Sequence, residues 1–233
     1  MSLPPTLIIF DFDGTLFNTH ISIAETIKET FTALLPSHTP TASSIQSQIS
    51  SGVGLTDAFR ALHPTGETLT PEEAESWIST YRTIYASTGQ ALITAYPGAQ
   101  ALLQHLKERG IPVAIISNKG VAAVQTALAN NGLDGYIPEN LIIGDKTPGA
   151  VRKPDPASFR DVLVPRLREM GVESGERVVV VGDTVADIQF AGNIGGRCCW
   201  CRFGYGDREV CEGLRPEWVV DGLGEVVGVL GGI

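Results

Sequence analysis

The sequence predicts an α/β protein, a doubly wound parallel sheet with a helical segment inserted after its first strand. Three observations carry this. Ile8-Ile9-Phe10 is apolar throughout and stops at Asp11-Phe12-Asp13-Gly14, and a short unbroken apolar run reads as a strand buried on both faces. Residues 18–92 hold helical patterns and no convincing strand. Everything after Tyr96 alternates strand and helix, which calls for parallel strands joined by right-handed crossovers. The shift in composition divides the chain into a core of 1–17 and 93–233 and an inserted helical domain of 18–92.

In order, residues 6–11 form the first strand. Over 21–35, Ile23, Ile27, Phe31 and Leu34 recur at helical spacing. The Ser-, Thr- and Pro-rich stretch 36–51 reads as a loop with at most one helical turn, and a short helix follows over 55–62. Thr70-Pro71-Glu72-Glu73 starts the next helix with a cap, a proline and first-turn acids, which then runs to about Ser87. Pro97-Gly98 opens a helix carrying Leu102, Leu103 and Leu106 and closed by Gly110. A second strand over 113–116 ends at Ser117-Asn118-Lys119-Gly120, followed by a helix over 121–130. Leu141-Ile142-Ile143 is a short third strand. Asp155 caps a helix that Pro165 interrupts and kinks. Val178-Val179-Val180-Val181 ends at Gly182-Asp183, a helix with Asp187 follows, and late strands are expected near 198–202 and 218–220.

Composition excludes several function classes. At 233 residues, 43% hydrophobic and 18% charged, the chain suits a globular core plus one small domain. It has no apolar run of the roughly 18–20 residues that spans a bilayer. Met1-Ser2-Leu3-Pro4-Pro5 shows no basic start or cleavage site of a secretory leader, so a cytoplasmic location is expected. The net charge of −9, with no basic run, disfavours nucleic acid and anionic membrane as partners. It would also repel a phosphorylated substrate unless the site carries its own positive charge. Cys198, Cys199, Cys201 and Cys211 lack the spacing and histidine neighbours of a zinc site; small buried residues of a strand are the expectation.

Three strands therefore end in polar groups: Asp11 with Asp13, Ser117 with Asn118, and Asp183. Ligands of open α/β sheets bind at the carboxyl ends of strands. Two neighbouring carboxylates repel each other unless a proton or a cation relieves them. Lys153, in the loop before the strand of Asp183, would bring an amine to the same rim.

The chain resembles the haloacid dehalogenase superfamily of phosphohydrolases. Asp11-Phe12-Asp13-Gly14-Thr15-Leu16 is similar to its first motif, Ser117-Asn118 to its second, Lys153-Pro154-Asp155-Pro156 to its third, and Gly182-Asp183-Thr184-Val185-Ala186-Asp187 to its fourth. Within it, Ser117-Asn118-Lys119, Tyr96-Pro97-Gly98 and Phe203-Gly204-Tyr205-Gly206 resemble phosphoglycolate phosphatases. The resemblance implies a Rossmann-like core with a small helical cap of the C1 type, and a small-molecule phosphate ester as partner.

It also implies roles. Asp11 is the expected nucleophile and Asp13 the general acid and then base. Mg²⁺ is the expected cofactor, held by the Asp11 and Asp183 carboxylates and the Asp13 main-chain carbonyl. Lys153 would neutralise the phosphoryl oxygens and the nucleophile. Ser117, Asn118 and Thr15 are the expected substrate contacts. Asp187 stands one helical turn after Asp183, equally suited to an outer position at the metal or to a helix N-terminus. Lys119 and Arg152 read as solvated surface cations, and Ser51-Gly52-Val53-Gly54 as either a plain turn or a cap loop reaching the site. A sugar phosphomutase on the same scaffold would also use Asp13. A non-catalytic Mg²⁺- and phosphate-binding protein would not need the full set, and dehalogenation would not need Asp13.

Overall fold

The computed structural model describes residues 5–172, 175 and 177–230; residues 1–4, where the absence of a leader was read, lie outside them. The described strands are β1 (Leu7–Phe10), β2 (Phe17–Asn18), β3 (Thr94–Ala95), β4 (Val113–Gly120), β5 (Ile142–Asp145), β6 (Val178–Gly182), β7 (Arg197–Cys201) and β8 (Trp218–Val220). Six of them form one sheet in the order β5-β4-β1-β6-β7-β8, every pair parallel. Each parallel step needs a crossover, and the helices Ala99–Glu108, Val121–Asn130, Val164–Glu169 and Val185–Asn193 lie in these connections.

The apolar runs sit where two-faced burial requires. Leu7, Ile8, Ile9 and Phe10 are at most 1% exposed, and Val178–Val181 at most 4%. Ile9 registers against Ala114 on one side and Val180 on the other. The order places β1 between β4 and β6, so Asp11 and Asp183 directly follow adjoining strands; β4 runs on past the expected end at 116 to Gly120, with Ser117 at the irregularity between Ile116 and Gly120. Two corrections apply here. Phe17–Asn18 and Thr94–Ala95, for neither of which a strand is predicted, pair as an antiparallel ribbon; two-residue strands carry no periodicity. A π-helical turn, Ser158–Leu163, runs into the helix Val164–Glu169, whose first turn holds Pro165. The wide turn accommodates the missing N–H without ending the helix.

Contacts divide the chain into two compact units, 1–18 with 94–233 and 19–93. The second unit is built from the helices His20–Leu34, Ala42–Ser51, Leu55–Leu62 and Pro71–Ser87. Its core is aromatic: the Trp77 ring lies 4.6 Å from that of Phe31 and 5.4 Å from that of Phe59. Thr70 and Glu73 form a reciprocal capping box at the start of the last helix.

Two expectations fail in this unit. Residues 42–51 form a full helix, capped by Thr41 and closed by Gly52 in the left-handed conformation. Its buried positions, Ile45 and Ile49, are a single i, i+4 pair in a polar stretch, too sparse to register as a pattern. The first helix buries Ser22, Thr26 and Thr30, while Leu34 is exposed. Those hydroxyls are satisfied locally, Thr26 and Thr30 donating to the carbonyls four residues back and Ser22 to the Gly89 carbonyl. Polar residues so satisfied lie inward at little cost, and hydropathy alone cannot see that. Within this unit Ser51-Gly52-Val53-Gly54 closes one helix and opens the next.

Candidate active site

The site begins with the turn after β1. The Asp11 amide donates to the Val181 carbonyl at 2.9 Å, continuing the sheet by one residue, and Gly14 N donates to the Phe17 carbonyl. Gly14 holds φ +78°, and a Cβ built there would stand 2.2 Å from Asp183 Oδ2. Only glycine both adopts this turn and lets the β1 loop close on Asp183.

Asp11, Asp183 and Asp187 are all buried, and one carboxylate oxygen of each lies within 4.8 Å of the others. Lys153 Nζ, itself buried, stands 2.5 Å from Asp11 Oδ1 and 2.6 Å from Asp187 Oδ1. Residues from three separate parts of the sequence thus meet at the rim of the sheet.

Asp183 is held from several directions: Oδ1 accepts from Thr15 Oγ1 at 3.0 Å, Oδ2 from the Tyr205 amide at 2.7 Å, and its main-chain carbonyl from Trp200 Nε1 at 2.9 Å. The other oxygen of Asp187 accepts from Thr184 N and Oγ1 and from Asp183 N. Asp187 therefore takes the helix N-terminus position, one oxygen capping the helix Val185–Asn193, while its other oxygen grips the lysine.

Electrostatics follow from this packing. Burial, reinforced by Asp187 and Asp13 and opposed by Lys153, pushes the Asp11 carboxyl up to about 7. Burial, with Asp187 and Asp11 alongside, lifts Asp183 well above the usual carboxylate range. For Lys153 burial pulls down, but its two carboxylate partners outweigh it and hold the ammonium above the ordinary lysine range. The two acids rise because they are desolvated beside further carboxylates, and the lysine rises because two carboxylates hold its charge. With every group ionised, the cluster carries an excess of two negative charges. An all-oxygen donor set with that excess fits a hard divalent cation such as Mg²⁺.

Asp13 lies at the edge of this cluster, its carboxylate partly exposed and paired with Lys119 Nζ at 2.9 Å. Lys119 is thus no solvated surface cation: its side chain is only 10% exposed. Its place directly after Ser117-Asn118 was the signal in the sequence, and its partner, 106 residues away, was not. Ser117 is buried, and its Oγ accepts from the Lys119 amide at 3.2 Å, which leaves its proton to donate elsewhere.

Asn118 and Thr15 take other positions than expected. Asn118 Oδ1 accepts from the Lys153 amide at 3.0 Å and so braces the lysine loop. Thr15 is fully buried with its hydroxyl turned to Asp183, behind the carboxylates, where a side-chain contact to substrate is not available. Arg152 is exposed, its guanidinium 3.5 Å from the Asn118 carbonyl. Among the groups that hold Asp183, Tyr205 and Trp200 escaped the sequence reading because they act through a main-chain amide and an indole.

The profile of haloacid dehalogenase-like hydrolases matches residues 5–195. The chain belongs to this family. This haloacid dehalogenase-like hydrolase is phosphoglycolate-phosphatase-like within it. It is 29% identical over 226 residues to the phosphoglycolate phosphatase of Pectobacterium atrosepticum, covering 96% of this chain and 92% of the relative. Among solved structures it resembles a haloacid dehalogenase-like hydrolase from Streptococcus pneumoniae, with TM-score 0.78, 24% identity and coverage of 96% and 97%. It also resembles a variant of CbbY from Rhodobacter sphaeroides in complex with xylulose-(1,5)-bisphosphate, with TM-score 0.78, 22% identity and coverage of 97% and 99%. Among the described residues no helix is long and apolar enough to cross a membrane.

The four cysteines are free and buried. Burial pushes the thiol of Cys199 up to about 12 and that of Cys211 up to about 11, which suits inert packing groups.

Proposed function

We propose that this hydrolase is a Mg²⁺-dependent phosphatase that cleaves a small-molecule phosphate monoester through an aspartyl-phosphate. The observation that supports it is the buried meeting of Asp11, Lys153, Asp183 and Asp187 at the ends of β1 and β6. Asp11 and Asp183 would hold the metal, together with the Asp13 main-chain carbonyl. Bound Mg²⁺ supplies positive charge to the phosphoryl oxygens and stabilises the ionised form of the carboxylates.

The chain's own residues do the rest. An Asp11 carboxylate oxygen attacks phosphorus in line with the leaving oxygen, forming the acyl-phosphate bond as the ester P–O bond breaks. Lys153 Nζ holds the Asp11 carboxylate in place and offsets charge on the transferring group. Asp13, on the more exposed side of the cluster, hands its proton to the leaving alkoxide. It then takes a proton from the water that attacks the phosphorus and releases Asp11. The Ser117 hydroxyl donates to a phosphoryl oxygen. The helical unit is assigned the part of a cap that selects among esters, and phosphoglycolate, the substrate in the name of the Pectobacterium relative, is the first compound to try.

The test is hydrolysis of an aryl phosphate and of a panel of small phosphate esters with excess Mg²⁺. Asp11→Asn is expected to abolish release of phosphate while leaving the circular-dichroism spectrum and melting cooperativity intact. Appreciable Mg²⁺-dependent turnover by that variant removes Asp11 from the nucleophile's place.

A further inference from the structure

The loop after β7 is placed as a link between Asp183 and the ribbon of β2 and β3. Its Tyr205 amide donates to Asp183 Oδ2 at 2.7 Å. The same residue's hydroxyl donates to Asn18 Oδ1 at 3.3 Å, and Asn18 is the last residue of β2. Tyr96 follows β3 directly, and its ring meets Phe203 edge-on at 4.8 Å. One loop thus holds a carboxylate of the cluster with its main chain, while its side chains reach the last residue of β2 and the residue after β3.

The contact is close on the carboxylate side. A Cβ built on Gly204 would stand 2.2 Å from Asp183 Cβ, so any shift of this loop moves against Asp183 itself. The ribbon is where the chain passes between the sheet domain and the helical unit, at 18/19 and 93/94. Outer partners that fix the orientation of a ligating carboxylate set the affinity of a metal site. Coupling of this kind is reciprocal, since what the ribbon does to the carboxylate the bound cation does to the ribbon.

We propose that Tyr205 is a positioning residue, tying the β2–β3 ribbon to the orientation of Asp183 and thereby tuning affinity for the divalent cation. This rests on the reading of Asp183 as a metal-holding residue. The functional consequence is that a displacement of the ribbon reaches Asp183 through the Tyr205 side chain, in addition to the turn at Gly14 that already joins β2 to the site.

The experiment is titration of the full chain with Mn²⁺ alone, free ion followed by electron paramagnetic resonance, for wild type, Tyr205→Phe, Asn18→Ala and the double variant. Tyr205→Phe keeps the main-chain amide and the ring and loses only the hydroxyl. It is expected to bind Mn²⁺ about tenfold more weakly. Asn18→Ala should bind less weakly than that, and the double variant no worse than Tyr205→Phe alone, because all three act through one connection. Saturating Mg²⁺ is expected to restore kcat of Tyr205→Phe toward wild type, which a general structural loss would not permit. Affinities within about twofold of wild type for Tyr205→Phe, or losses that multiply in the double variant, overturn the link. Failure of the wild type to bind Mn²⁺ overturns the metal assignment itself, and the proposal with it.

Discussion

Replacing Lys153 by methionine keeps the length and apolar stem of the side chain and deletes its charge. In the folded protein that charge lies 2.5 and 2.6 Å from two buried carboxylate oxygens. Removing one member of a buried ionic set costs about 3–5 kcal/mol because the others stay desolvated and uncompensated. Asp11, already pushed up to about 7 with the ammonium present, loses the partner that lowers it. Its folded value then lies further above that of the unfolded chain, so the stability it lends is present at low pH and is lost as pH rises through neutrality. The Lys153→Met penalty should therefore be smaller near pH 5, where the Asp11 carboxyl holds a proton in both proteins and the Asp187 pairing alone is lost, and full by pH 8. At the lower bound of about 3 kcal/mol, melting of the sheet domain should drop by roughly 6–12 °C at pH 8 in EDTA. Millimolar Mg²⁺ should recover part of it, a cation replacing the lost charge. Thermal melts at pH 5 and 8, with and without Mg²⁺, decide the matter. A drop under about 2 °C at pH 8, or an equal drop at both pH values, would refute the charge argument.

Lys119→Met should lower kcat about tenfold, because Lys119 pairs with the Asp13 carboxylate assigned the acid and base steps; an unchanged rate would make the pair structural only. The native protein should expose none of its four thiols to a disulfide reagent within minutes and all four after denaturation, since every cysteine is buried and free; rapid modification of any one would contradict that packing.

Much of the fold was legible in residues 6–16 and 113–201 because the strands within those ranges are buried on both faces. Two-sided burial forces a continuous apolar run, and a run that ends abruptly in Asp11, Ser117 or Asp183 marks the rim of the sheet. The helical insertion was readable as helical, but its packing was not. Thr26 and Thr30 lie inward because their hydroxyls are satisfied by carbonyls of their own helix. The helix Ala42–Ser51 is held by two isoleucines in an otherwise polar segment.

At the site, the sequence by itself determined which residue types would gather: four acids, one amine and one serine hydroxyl, each where an apolar run gives way to polar residues or within the first turn or loop of the next element. Only the tertiary structure decided who holds whom. Lys153 bridges Asp11 and Asp187, Asn118 braces the lysine loop, Thr15 stands behind Asp183, and Lys119 pairs with Asp13. The physical reason is that strand identity depends on local burial, which the chain encodes residue by residue. Hydrogen-bond partnership depends on which strands become neighbours, and the order β4-β1-β6 joins residues more than a hundred positions apart.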